Sequence, residues 1–382
     1  MSEFSDNTTY NTKKHRQIGI LTFWNVPNYG TFMQAYALQH FLQEMFPNDD
    51  IRQIRWLDDV HYDAYYAFVN RSFRGKYINP RFYAYCLKRG LQKAQRRNQR
   101  KFLDYYPKFI PHTATDGLET ESLDYDILVL GSDIIWDYSI GFFHQDKHLF
   151  GHGFHATKKI SYAASFGTVK PGQDVPSYVL DGISQLDAIS VRDENSVAVV
   201  HSLLHQEHQV VLDPTLLMDF RTDRAVVTPV MKEKYIGIYG DGFSDEMKTG
   251  ARDYADRHGM KLVCIDSNDD TSAWCDRSFI SGEMNPFELL GWFKEAEAIM
   301  TSTYHGLMFS LNFHKPIIFQ PTTFILDKVS SLIRDLSLWE PLVERQTFSE
   351  KVSWDWDYDG IEKCLSRKRE ESIQFLLEAL SM

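Results

Sequence analysis

Residues 17–46 read QIGILTFWNVPNYGTFMQAYALQHFLQEMF, and a second apolar run, 51–56, follows after four residues. The run 18–23 is short and continuous, as in a strand buried on both faces. Residues 25–30 carry turn chemistry. From Thr31 onward Met33, Ala37, Leu38 and Phe41 recur at helical spacing. Strand, helix and strand in this order predict a βαβ unit, the building block of a parallel sheet covered by helices.

The same alternation continues along the chain. The patterning predicts strands at 126–130, 159–164, 188–191 and 209–212, with helices at 176–185 and 196–204. A second series begins near Lys234, with strands at 235–239, 261–265, 298–301 and 316–319. Its helices are expected at 244–258, 285–295 and 306–313, and a last helix at 362–380 is placed to pack across both series. The expected fold is α/β: two Rossmann-like domains facing a cleft. A polar leader covers 1–16, the first domain 17–225 and the second 226–382.

The composition agrees with a folded, globular chain. Of 382 residues, 43% are hydrophobic and 24% charged, which excludes bulk disorder. The net charge of −11 argues against general nucleic-acid binding. That average hides one segment: 71–101 holds eleven lysines and arginines and no acid, leaving the remainder at −22. Phe73, Tyr77, Phe82, Tyr83 and Tyr85 lie among these bases, within a helical insertion expected at about 71–106. Two readings stand for it, contact with an anionic lipid surface or a solvated helical cover on the sheet edge. The N-terminus, MSEFSDNTTYNTKKHRQ, has no apolar core like a signal peptide's, so a cytoplasmic protein is expected, with peripheral membrane contact through 71–101. Cys86, Cys264, Cys275 and Cys364 fit neither zinc nor disulfide spacing. Two histidine groups, 144/148/152/155 and 201/205/208, are read as solvated or capping side chains, and no bound metal is expected.

Short polar motifs recur at the carboxyl ends of the expected strands: Asn28-Tyr29-Gly30, Gly131-Ser132-Asp133, Ser165-Phe166-Gly167, Arg192-Asp193, Asp213-Pro214 and Ser302-Thr303-Tyr304-His305-Gly306. Open α/β sheets bind ligands beyond these ends. Six motifs in register therefore point to one site in the cleft.

The stretches GILTFWNVPNYGTFMQAYAL, DILVLGSDIIWD, ISYAASFG, ISVRDENSV, LDPTLL and TSTYHGLMFSLNFHKPIIF, with a weaker echo in KVSSLIRDLSL, resemble the polysaccharide pyruvyl transferase family. The resemblance runs from about residue 18 to 338. It implies a GT-B-like fold and transfer of pyruvate from phosphoenolpyruvate to a sugar of a surface polysaccharide or its lipid-linked precursor, usually as a cyclic ketal. It implies no cofactor beyond that donor. Some members carry an arginine where this chain has Thr303. Two other functions remain open on the sequence. One is a glycosyltransferase using a nucleotide sugar, with Asp266 as a candidate ribose acid. The other is a non-catalytic carbohydrate-binding relative.

Such a donor needs cationic or N–H groups for phosphate and carboxylate, with an acid and a base for the proton transfers. His305 is the leading acid/base candidate, since histidine titrates near neutrality and a helix is expected to begin at Gly306. Arg192 suits bidentate binding of an anion. Asp133 is a candidate acceptor for a sugar hydroxyl proton. Asn28, Tyr29, Gly30 and Gln34 line the first helix start, Ser132 adjoins Asp133, and Trp136 is a candidate sugar-stacking ring. Ser165 and Gly167 suit a phosphate-approaching loop, while Ser302, Tyr304 and Gly306 flank His305. On this reading, His305→Ala and Arg192→Ala each reduce turnover severely while the protein folds normally.

Overall fold

The structure, a computed structural model, describes residues 15–57, 59–69, 78–114, 124–140, 146–267 and 273–381. Most of the leader, the 71–77 part of the basic segment and His144 lie outside the described residues. In the first half β1 (Gln17–Leu21), β2 (Asp50–Gln53), β3 (Asp124–Leu130), β4 (His155–Ala164), β5 (Ala188–Val191) and β6 (Gln209–Val210) form one sheet in the order β2-β1-β3-β4-β5-β6. In the second, β7 (Tyr235–Tyr239), β8 (Lys261–Ser267), β9 (Arg277–Ile280), β10 (Ala298–Thr301) and β11 (Ile317–Phe319) form the order β11-β10-β7-β8-β9. Every pairing is parallel. The chain is thus α/β with two Rossmann-like sheets, as expected. Strand β9 carries no continuous apolar run, with only Phe279 buried, and so escaped the periodicity reading.

Strand order reverses between β1 and β3 in the first sheet and between β7 and β10 in the second. At such a reversal the loops leaving adjacent strands diverge to opposite faces and open a crevice. The motifs after β1, β3 and β10 sit at these two points.

Helix α1 (Tyr29–Met45) follows β1 and is capped by Asn28, whose side chain accepts from the Thr31 N–H. Its inner face buries Phe32 and Met33 in a cluster shared with the second half, where Phe287, Leu290 and Phe293 pack from Pro286–Glu295. Phe32 meets Phe287 edge to face at a centroid distance of 6.3 Å, and the Tyr29 hydroxyl donates to the Met284 carbonyl at 2.7 Å. Fourteen aromatic residues are buried in this shared cluster. Trp24 belongs to it too, tilted against Tyr106, rather than to a surface. The last helix, Tyr358–Ala379, joins the halves as expected: Leu376 and Ala379 pack on the first sheet, Ile361 and Leu365 on the second half.

The basic segment divides into α2's caps and a solvent face. Just past the end of helix α2 (Asp59–Tyr65), Arg89 and Arg96 donate to Ala67 O at 2.7 and 2.8 Å and Arg100 to Tyr66 O at 3.0 Å. Cations at a helix C-terminus satisfy orphan carbonyls and the macrodipole together. Helix α3 (Pro80–Leu91) instead turns Tyr83 and Leu87 to solvent, with Arg81 and Lys88 beside them.

Because the core is continuous across the halves, Phe32→Ala should lower stability by about 3–5 kcal/mol and leave one cooperative unfolding transition. Denaturant titration followed by fluorescence and far-ultraviolet circular dichroism checks this; two separated transitions would contradict the shared core.

Candidate active site

The two reversal points face each other across a cavity of about 570 Å³. The first half contributes Asn28, Thr31, Asp133, Ile134 and Arg192. The second contributes Ile238 to Phe243, Lys248, Cys264, Asp266, Trp274, Thr303 to His305, Ile325 and Lys328.

Arg192 follows β5 and is almost fully buried. Its Nη1 donates to Asp213 Oδ2 at 2.8 Å and its Nη2 to Asp133 Oδ1 at 3.2 Å. The Tyr304 ring of the second half lies 4.3 Å from the guanidinium carbon, a cation–π contact across the halves. Burial penalises every charge in this group, so each survives only through its partners. Burial alone would raise the Asp133 carboxyl. The charges of Arg192, His305 and Lys328, with a hydrogen bond from Thr31, outweigh it and hold the group at about 2. Asp133 is therefore ionised at working pH and a weak base, a countercharge more than a proton acceptor. Burial lowers the Arg192 pKa, but Tyr304, Asp133 and Asp213 overcome it and raise the value. The fork anticipated for a ligand is thus committed to two carboxylates of its own chain.

His305 lies within the helix Tyr304–Asn312, which begins two residues earlier than the sequence pattern suggested. Thr303 is the cap, its hydroxyl accepting from the Gly306 N–H at 3.0 Å. The imidazole rests against Gly30 of α1, where any Cβ would overlap the ring. This is a glycine required by close approach between the halves. Nε2 lies 3.8 Å from Asp213 Oδ2, buried and without a hydrogen bond. Burial depresses the pKa below the usual 6.5, and Asp213 and Asp133 only partly offset it. The ring is neutral at pH 7 and competent to accept a proton.

The structure brings Asn28, Asp133, Arg192, Tyr304 and His305 to the cavity wall, with Gly30 directly behind His305. It places the other candidates elsewhere. Tyr29 is core and tethers the halves. Gln34 and Ser132 form a buried network beneath the site: Ser132 Oγ donates to Gln34 Oε1 at 2.9 Å, and Gln34 Nε2 donates to Thr22. Trp136 is wholly buried and donates to the Leu149 carbonyl, so its ring has no face for a sugar. Ser165 donates to Asp193 at 2.6 Å, and Gly167 makes room for the Asp137 carboxylate. Ser302 donates to the Asp241 carbonyl at 2.8 Å, tying the loops after β10 and β7 together. Gly306 sits against the Thr301 and Thr303 hydroxyls. Asp213, from the Asp213-Pro214 motif, joins Arg192 to the His305 neighbourhood.

Lys328, Asp241 and Trp274 were not anticipated as wall residues. Gly240-Asp241-Gly242 follows β7, the same strand-end signal as the other motifs. Lys328 lies in Thr323–Asp335, where Val329 and Ile333 mark a buried face and the lysine is adjacent to it. Among the described residues no group of histidines, cysteines and carboxylates is arranged to hold a metal.

The polysaccharide pyruvyl transferase family model matches residues 28–319. The chain belongs to that family, one of transferases. No curated protein is similar enough to count as a match. Several solved structures overlap it at low identity. Escherichia coli heptosyltransferase WaaC with ADP-2-deoxy-2-fluoro heptose is 12% identical over 79% of this chain and 88% of its own, at a TM-score of 0.36. Staphylococcus aureus MnaA with UDP is 11% identical over 96% and 98%, at 0.44. The glycosyltransferase SnogD of Streptomyces nogalater is 11% identical over 96% and 99%, at 0.39.

The geometry revises one expectation. Arg192→Met should not fold normally, since it leaves two buried carboxylates without a countercharge. A loss of about 3–5 kcal/mol is expected. Asp133's pKa is depressed in the fold, so the stability it contributes with Arg192 is present above about 4 and lost toward 2. The gap between variant and parent in urea titrations should narrow over that window. A variant as stable as the parent at pH 7 would contradict the triad.

Proposed function

We propose that the protein transfers the pyruvyl group of phosphoenolpyruvate to two hydroxyls of one sugar in a surface polysaccharide or its lipid-linked precursor, forming a pyruvate ketal. The observation that carries this reading is neutral His305, set in the cleft beside the starts of two helices, in a chain of the pyruvyl transferase family. Helix starts favour anions, and the donor is an anion.

On this reading the charge of Asp213, 3.8 Å from Nε2, favours the tautomer with the proton on Nε2, leaving Nδ1 to accept the proton of the attacking hydroxyl. The imidazolium formed is stabilised by Asp213 and Asp133. It returns that proton to the donor's methylene carbon, so the first step adds O–H across the enol double bond. Phosphate then leaves with the C2–O electron pair. The neighbouring hydroxyl closes on C2 and loses its proton to the ring. The sum is donor plus diol giving ketal plus inorganic phosphate.

A nucleotide-sugar donor is the second reading. Asp266 at the end of β8 favours it: burial raises its carboxyl to about 6, against a hydrogen bond from Ser281, and Oδ1 has no partner. Incubation with phosphoenolpyruvate and a panel of lipid-linked oligosaccharides separates the readings. Phosphate release with a matching mass gain supports pyruvyl transfer. Turnover with a nucleotide sugar alone refutes it, and sugar binding with neither product supports a non-catalytic relative. His305→Ala should reduce turnover at least about 100-fold. In the parent, kcat/KM should fall as pH drops through a value below 6.5, where the base becomes protonated.

No helix among the described residues is long and apolar enough to cross a membrane. For location we propose a cytoplasmic protein that touches the inner leaflet through α3. Ile78, Tyr83 and Leu87 are 98, 61 and 67% exposed beside Arg81 and Lys88, a basic amphipathic face suited to anionic headgroups. Replacing Arg81 and Lys88 with glutamate should weaken sedimentation with phosphatidylglycerol vesicles at low salt. Unchanged binding would make this face a solvated one. Arg96 and Arg100, which cap α2, are unsuitable for the test.

A further inference from the structure

The cavity of about 570 Å³ falls in the range that holds a drug-sized ligand, more than a three-carbon donor fills. Its second-half wall also differs in kind from the wall around Arg192. Asp266, at the end of β8, lines the cavity beside Cys264 and Trp274. Its carboxyl is desolvated, and a hydrogen bond with Ser281 is the partner that favours ionisation. Oδ1 is buried and without a hydrogen bond. The charges of Arg192, His305 and Lys328, which govern Asp133, do not act on it. Among the described residues no cation pairs with Asp266, and Lys248, also on this wall, pairs with Asp245 at 3.2 Å. A carboxylate so placed gains from hydroxyl donors and repels an anion.

Trp274 supplies the second element. It is half-buried in the turn that leads into β9, packs against the cluster of Ile236, Ile238 and Cys264, and lines the cavity. Trp24 and Trp136, by contrast, are buried and do not reach the wall. We propose that Asp266 and Trp274 form a subsite for one uncharged sugar ring, the carboxylate accepting from a pair of adjacent hydroxyls and the indole covering the ring's apolar C–H face. A carboxylate has acceptor sites for two hydroxyl donors at once, and indole offers a broad flat apolar area at low conformational cost.

Its place in the cavity gives this subsite its role. The charge of His305 does not act on Asp266, so the hydroxyls held there are not the pair that reacts. The ring bound at Asp266 and Trp274 is a recognition element, a neighbouring unit of the acceptor glycan that is gripped while the reacting hydroxyls lie at His305. The inference rests on the pyruvyl-transfer reading only in calling this sugar part of the acceptor. The shared chemistry is a pair of adjacent hydroxyls on a sugar ring, which the ribose of a nucleotide also carries.

The test is saturation-transfer difference NMR on the full chain, titrated with the methyl glycosides of galactose, glucose, mannose and N-acetylglucosamine, with uridine as the ribose probe, and separately with phosphoenolpyruvate. At least one glycoside should bind the parent. Asp266→Asn keeps the shape and removes the charge, and should weaken that glycoside by about 10- to 100-fold, the range for hydrogen bonds to a charged group. Trp274→Ala should weaken it by about tenfold. Trp274→Phe keeps a ring in the packing and should restore most of the affinity. A parent that binds no glycoside overturns the proposal, as do Asp266→Asn and Trp274→Ala binding as tightly as the parent. Asp266-dependent binding of uridine but of no glycoside overturns it too and gives the site to a nucleotide. Glycoside binding that depends on both residues, in a chain that does not bind phosphoenolpyruvate, upholds the subsite and rejects the donor assigned above.

Discussion

The Arg192 guanidinium gathers three strand ends and both halves of the molecule into one electrostatic unit. Asp133 comes from the loop after β3 and Asp213 from the loop after β6, and Tyr304 covers the cation from the second half. Because the group is buried, none of its members can be altered without leaving another charge or dipole unmatched. Asp213 then carries the order one step further, to Nε2 of His305. The imidazole is thereby placed by charge on one side and by the missing side chain of Gly30 on the other. What the cleft offers a ligand is what this unit leaves free: a neutral histidine and two helix starts.

The halves are not loosely hinged beads. Phe32, Tyr29 and Phe102 of the first half pack directly with Phe287 and Phe293 of the second, and the last helix clamps both. The geometry of the cleft is thus built into the same core that joins the two halves.

The architecture was legible because strands buried on both faces are continuous apolar runs, and β5, β7 and β10 appear where the runs predicted. The strand-end motifs pointed to the cleft for the same topological reason. Individual roles were less legible. A motif residue can face the cavity or the packing behind it, and Trp136, Gln34 and Ser165 took the second course because their polar atoms found partners in the core. Arg192 was identified, but the carboxylates that occupy it lie 59 and 21 residues away, beyond any local pattern. Lys328 was missed because it reaches the cavity from within a helix, where no strand-end motif marks it.

A crystal structure of the protein with phosphoenolpyruvate tests the account most directly. The account predicts the donor between the two reversal points, an anionic group at the helix starts beside Asn28 and Thr303 and the methylene carbon beside His305. Donor bound away from these residues, or an empty cleft at saturating donor, would contradict it.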